Sequence, residues 1–157
     1  MKVFLGLGSN LGDRAYYLRK AISSLARSTI KIGKISRIYE TEPWGVMDQP
    51  LYWNQVLEIE TTLEPLELLH LCQKIELQLG RERKVHWGSR TIDIDLLIYD
   101  NIVSETEVLR LPHPFLEMRE FVLAPLREIA PNLVLPSGRP ISEVSGEGKV
   151  YPLLAEN

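Results

Sequence analysis

Apolar residues along the chain recur in two rhythms, one of period two and one of period three to four. "KVFLGLGSN" (2–10) reads as a short buried strand closing in a glycine turn, and Leu18, Ala21, Ile22 and Leu25 recur at helical spacing from about Asp13. Between Thr29 and Tyr39 the isoleucines at 30, 32, 35 and 38 change phase around Gly33-Lys34, which predicts a strand carrying a bulge or bend. After the loop "TEPWGVMDQP", the stretch "YWNQVLEIET" alternates. Trp53, Gln55, Leu57 and Ile59 share one face, with Asn54, Val56, Glu58 and Glu60 opposite, as in a half-buried strand paired antiparallel with its predecessor.

Pro65 opens "PLELLHLCQKIELQLG", where Leu68, Cys72, Ile75 and Leu79 keep a helical rhythm and Gly80 suits a C-cap. Next come a basic loop over 81–89, an apolar strand over 90–99 and a hairpin within "YDNIVSETEVLRL". "PHPFLEMREFVLAPLREIAP" reads as helical after Pro114, and the tail beyond Pro131 is weakly patterned. Antiparallel strand pairs separated by helices, with no repeat or linker, predict one α+β domain over residues 1–157, a sandwich of helices on an antiparallel sheet.

Composition narrows the function. At 157 residues with 45% apolar content, one core suffices. A formal net charge of −3 excludes a polycationic grip on a duplex or an anionic membrane, so any anion site is local. The single Cys72 has no partner for an internal disulfide and reads as core filler in a reducing compartment. "VFLGLG" is too short for a signal or spanning segment, so a cytoplasmic location is expected.

"RTIDIDLLIYD" sets two aspartates into an apolar run. Strand alternation puts Thr91, Asp93, Asp95, Leu97 and Tyr99 on one face and Ile92, Ile94, Leu96 and Ile98 toward the core. Carboxylates about 6.5 Å apart repel by roughly 2–3 kcal/mol at an effective dielectric near 20, so a solvated pair is tolerable. The other reading is a divalent-cation site, since Mg²⁺ takes one or two carboxylates plus substrate phosphates. Upstream, "GRERKVHWGSR" gathers Arg81, Arg83, Lys84, His86 and Arg90, which suits a metal-polyphosphate substrate or a solvated loop. Trp87-Gly88 fits a closing lid or a packing anchor, and His113 between two prolines fits an anion contact or a surface turn. "GLGSNLGD" misses the dinucleotide and P-loop glycine spacings and reads as a turn and helix cap.

Taken together, "HWGSRTIDIDLL", "GSNLGD", "TEPWGVMDQPLYWNQV", "IELQLGRER" and "PHPFLEMREFVLAPLREIAP" resemble the 6-hydroxymethyl-7,8-dihydropterin pyrophosphokinase family from about Val3 to Pro136. The resemblance implies a ferredoxin-like sandwich, a monomer, and transfer of pyrophosphate from ATP to the pterin hydroxymethyl group with release of AMP, in folate biosynthesis. It implies that Asp93 and Asp95 hold two Mg²⁺ ions, and that Arg81 and Arg90 are catalytic with them. By the same resemblance Arg81, Arg83, Arg90 and His113 contact the triphosphate, Gln73, Glu76 and the backbone near Leu96 the adenosine, and Trp87 belongs to the closing loop. Tyr52 and Phe121 would stack on the pterin, Asn54 would read its polar edge, backbone groups of Thr41, Glu42 and Trp44 would complete recognition, and Arg119 would lie between pterin and phosphates. Without the resemblance, Tyr52 and Phe121 read as core packing. Phe115 departs from the family, many of whose members carry a basic residue there, and Ser89 stands where proline is frequent. Two other classes use the same residues differently. One is another Mg²⁺-dependent enzyme of phosphate esters, such as a phosphatase or nucleotidyl transferase; the other is a non-catalytic ferredoxin-like binding module.

Overall fold

The computed structural model describes residues 2–41, 51–80 and 91–153. Its centre is β1 (Val3–Ser9), whose Val3, Phe4, Leu5 and Leu7 are all buried, because a strand apolar at successive positions needs cover on both faces. β1 lies between β4 (Tyr52–Glu60) and β5 (Asp93–Tyr99), antiparallel to both. On the far side of β4 lie β2 (Lys31–Ile35) and, further along, β3 (Tyr39–Thr41); the register of β2 shifts between Ile32 and Ile35, which is the predicted bend. The weakly patterned tail supplies a last strand, β8 (Val150–Pro152), on β3. The predicted hairpin is a small sheet of its own, β6 (Ser104–Glu105) with β7 (Arg110–Leu111).

Both early helices begin where local chemistry predicts. The Asp13 side chain accepts the Tyr16 N–H at 3.0 Å to cap α1 (Arg14–Ala26). Glu64 and Glu67 cap one another around Pro65 at the start of α2 (Pro65–Gln78), and Gly80 takes the left-handed conformation just beyond its end. α1 and α2 cover one sheet face over Leu5, Leu7, Leu57, Ile59 and Ile94. The third helix, α3 (Glu120–Ile129), covers the other face, setting Val122, Leu123 and Leu126 against Phe4, Val56, Leu97 and Ile98. This α+β arrangement bears out the predicted fold class.

The structure corrects three expectations. β4 is not half-buried along its length, since α3 covers Val56 while α1 and α2 cover Leu57. The faces of β5 do not alternate to its end: Leu5 lies opposite Leu96 but Phe4 opposite Ile98, so Leu97 is an extra residue. That bulge turns Ile98 to the α3 side and Tyr99 to the α1–α2 side, reversing the faces expected for both. The chain after Pro114 is not yet helical. Leu116 N–H bonds to His113 O and Met118 N–H to Phe115 O as successive tight turns, and α3 starts only at Glu120.

Candidate active site

In an antiparallel sheet, residues directly opposite share a face, and β1 connects the site across three strands. Gly8 is opposite Asp93 on one side and Asn54 on the other, while Gly6 is opposite Asp95 and Val56. Asp93, Asp95, Asn54 and Tyr52 therefore share the α3 face, and the backbones of Asp93 and Asn54 stand about 10 Å apart, two strand spacings. Asp93 is half-buried and Asp95 exposed, at the end of β5 beyond the core that α3 covers. The Asp-x-Asp spacing was legible in the sequence. Its alignment with Asn54 was not, because it depends on register across β1.

The glycines between them, which the sequence reading took as part of a turn and helix cap, lie inside β1 instead. A Cβ on Gly8 would lie 3.2 Å from Asn54 Oδ1, and one on Gly6 would lie 3.3 Å from the Leu97 methyls. Glycine inside a strand pattern is the signal that marks such an approach. Asn54 is 7% exposed, and its Nδ2 has no hydrogen-bond partner among the described residues. A buried amide donor without a partner is costly and matches a ligand acceptor. Tyr52 is half-buried beside it, opposite the buried Thr41 on β3, whose hydroxyl donates to Lys149 O at 3.3 Å.

The segment leading into α3 supplies a second group. Arg119 lies between two aromatic rings, its guanidinium carbon 4.5 Å from the Phe115 centroid and 5.5 Å from that of Phe121. Phe121 also packs against the α3-side core. His113 donates its backbone N–H to Leu97 O at 2.9 Å, which seats it against the free edge of β5. Its Nδ1 accepts the Phe115 N–H at 3.2 Å, leaving the proton of the neutral ring on Nε2. Burial, and secondarily the Arg119 charge, lower the imidazole's pKa below the usual value, which favours the neutral ring.

The two α2 residues assigned together separate. Gln73 is exposed, whereas Glu76 is 4% exposed and its Oε2 accepts the Ile94 N–H at 2.8 Å, between the two aspartates. Leu96 is buried in β5 beside them. Burial, then the charges of Glu76 and Asp95, push the Cys72 thiol up to about 12, consistent with an inert core residue. Glu42, Trp44, Arg81, Arg83, Trp87 and Arg90 lie outside the described residues, as do Lys84 and His86.

Comparison with known proteins follows the same outline. Residues 4–131 match the family model for 7,8-dihydro-6-hydroxymethylpterin-pyrophosphokinase. The 2-amino-4-hydroxy-6-hydroxymethyldihydropteridine pyrophosphokinase of Aquifex aeolicus is 46% identical over 151 residues, 96% of this chain and 94% of that protein. The Bacillus subtilis protein of the same name is 50% identical over 127 residues, 80% of this chain and 76% of its own. Among solved structures, an HPPK-DHPS chain crystallised with substrates superposes with a TM-score of 0.70 at 14% identity, over 90% of this chain. This chain spans only 42% of that longer one, and the likeness shows the shared fold. With a family match across most of its length and two relatives near half identity, the chain belongs to the 7,8-dihydro-6-hydroxymethylpterin-pyrophosphokinase family.

Proposed function

We infer that this chain transfers the pyrophosphoryl group of ATP to the hydroxymethyl oxygen of 6-hydroxymethyl-7,8-dihydropterin, releasing AMP. Family membership carries the reaction. The observation that supports its location is the shared face of Asp93, Asp95, Asn54 and Tyr52, with Arg119, Phe121 and His113 supplied by the turns into α3. In this reaction the acceptor oxygen bonds to the β-phosphorus, the bond from that phosphorus to the α–β bridging oxygen breaks, and AMP carries that oxygen away. The acceptor hydroxyl loses its proton as the new bond forms.

Asp93 and Asp95 suit Mg²⁺, as hard oxygen donors two residues apart on one strand face, one half-buried and one exposed. Among the described residues no cluster of three or more His, Cys, Asp and Glu could hold a metal by itself, so phosphate oxygens and water would complete the shell, as is usual for Mg²⁺. When bound, one or two Mg²⁺ ions would neutralise phosphate charge; we assign two. The chain's own groups do the positioning. Asn54 Nδ2 donates to the pterin edge, and Tyr52 and Phe121 stack on its ring. Arg119, held between Phe115 and Phe121, bridges pterin and phosphates, and His113 Nε2–H donates to a phosphate oxygen. Arg81, Arg83 and Arg90 would complete the phosphate cradle, Trp87 the closing loop, and Glu42 and Trp44 the pterin pocket. Every assigned group comes from one chain, so a monomer suffices.

The test is nucleotide analysis after mixing the protein with ATP, Mg²⁺ and the pterin, beside a control without pterin. Pterin-dependent AMP is expected; ADP or phosphate would point to another phosphate-ester enzyme, and no turnover to a binding module. Asp93→Ala and Asp95→Ala should fold and bind pterin yet lose about a hundred- to a thousandfold in turnover, an oxyanion-hole-sized electrostatic effect. Full activity in either would remove the metal assignment.

A further inference from the structure

We propose that Glu76 is a positioning residue for the Asp93–Asp95 pair, acting through the backbone of the strand rather than through substrate. This rests on the reading that the two aspartates hold metal. β5 ends the larger sheet, so its outward backbone groups lack a strand partner among the described residues. On that edge His113 N–H binds Leu97 O, and the Glu76 carboxylate takes the Ile94 N–H. The second falls at the residue between the aspartates. The Ile94 side chain is pinned in the core beneath α2, and its amide is pinned by a 4%-exposed carboxylate on that helix. The peptide linking Asp93 to Ile94 is thus clamped at side chain and amide, which fixes the direction in which both aspartates leave the strand.

The bond is set by reach, since glutamate or glutamine on α2 spans to the Ile94 amide and aspartate falls one methylene short. The carboxylate touches the strand from behind and need not ligate the ion. Outer partners of this kind typically carry about 10–100-fold in metal affinity.

The experiment measures Mn²⁺ binding by electron paramagnetic resonance in the presence of α,β-methylene-ATP, whose bridging carbon blocks transfer. The parent is compared with Glu76→Asp, which keeps the charge but falls short of Ile94, with Glu76→Gln, which keeps the reach, and with Asp95→Ala. Amide exchange at Ile94 and pterin binding by fluorescence are followed in each. Glu76→Asp is expected to weaken Mn²⁺ binding about tenfold or more, speed Ile94 exchange and leave pterin affinity intact, with Glu76→Gln closer to the parent. Parent-like Mn²⁺ binding in Glu76→Asp beside a loss in Asp95→Ala would overturn the positioning role while keeping the metal site. A larger loss in Glu76→Gln than in Glu76→Asp would overturn it in favour of charge. Parent-like Mn²⁺ binding in Asp95→Ala would remove the metal reading, and this inference with it.

Discussion

Gly8 has no side chain to offer, yet its bareness leaves room for the Asn54 side chain opposite, on the face that Gly8 shares with Asp93. A methyl group there would sit 3.2 Å from Asn54 Oδ1, so Gly8→Ala should displace the amide by a few tenths of an ångström. The expected result is a fold of normal stability and a pterin Kd raised about five- to tenfold, the worth of one hydrogen bond, measured by fluorescence titration. His113 makes a different prediction. Its folded pKa lies below the ordinary 6.5, so between those values the unfolded chain binds more protons and stability rises with pH. Stability contributed by the neutral ring is full above about 6.5 and is lost as pH falls through that value toward the folded pKa. Thermal melts of His113→Gln should show a shallower decline across that interval than the parent; an identical slope would contradict the assignment. Both residues could be picked out in the sequence by type. Neither the glycine's neighbour nor the histidine's tautomer could, since each depends on a chain segment far away in sequence.

Among the elements, the tail that joins the sheet as β8 also secures the start of α3. Glu147 N–H donates to Met118 O, Glu120 N–H to Glu147 O, and Gly146 N–H to Glu120 Oε1 at 2.9 Å. Arg127 adds a bond to Glu120 at 3.0 Å and one to Val144 O at 2.7 Å. A Cβ on Gly146 would fall 2.5 Å from Glu120 N and 2.7 Å from Arg119 C, both backbone atoms that cannot swing aside. Gly146→Ala should therefore push the tail off the helix start, lowering stability by about 1–3 kcal/mol and moving Arg119 and Phe121 with it. Chemical denaturation measures the first effect. A rise in KM for the pterin measures the second, and unchanged values for both would mean that the tail is not coupled to the site. α1 and α2 were readable to within a residue or two because their caps are local: Asp13, the Glu64–Glu67 pair and Gly80. α3 was read too early because Pro114 resembles a helix start, while the contacts that delay it come from residues 146 and 147.

Across the whole molecule, β1 gives one face to the α1–α2 core and the other to the α3 core, and the proposed site lies across its end between the aspartates and Asn54. Such a sheet makes placement of the site a property of register. A shift of one residue between β1 and β4 would turn Asn54 away from Asp93. By itself the sequence determined the α+β class, the early helices with their caps, the bend within β2, and the residue types of the candidate site. Those signals act over a few residues, through periodicity, capping chemistry and the spacing of two carboxylates. The tertiary structure alone decided that both sheet faces are covered, that a bulge at Leu97 reverses the end of β5, and that the tail returns to brace Arg119. It also decided that Glu76 turns inward to the aspartate strand while Gln73, on the same helix, faces solvent. These outcomes depend on which surfaces meet and in what register, and no local pattern encodes a contact whose two sides lie dozens of residues apart.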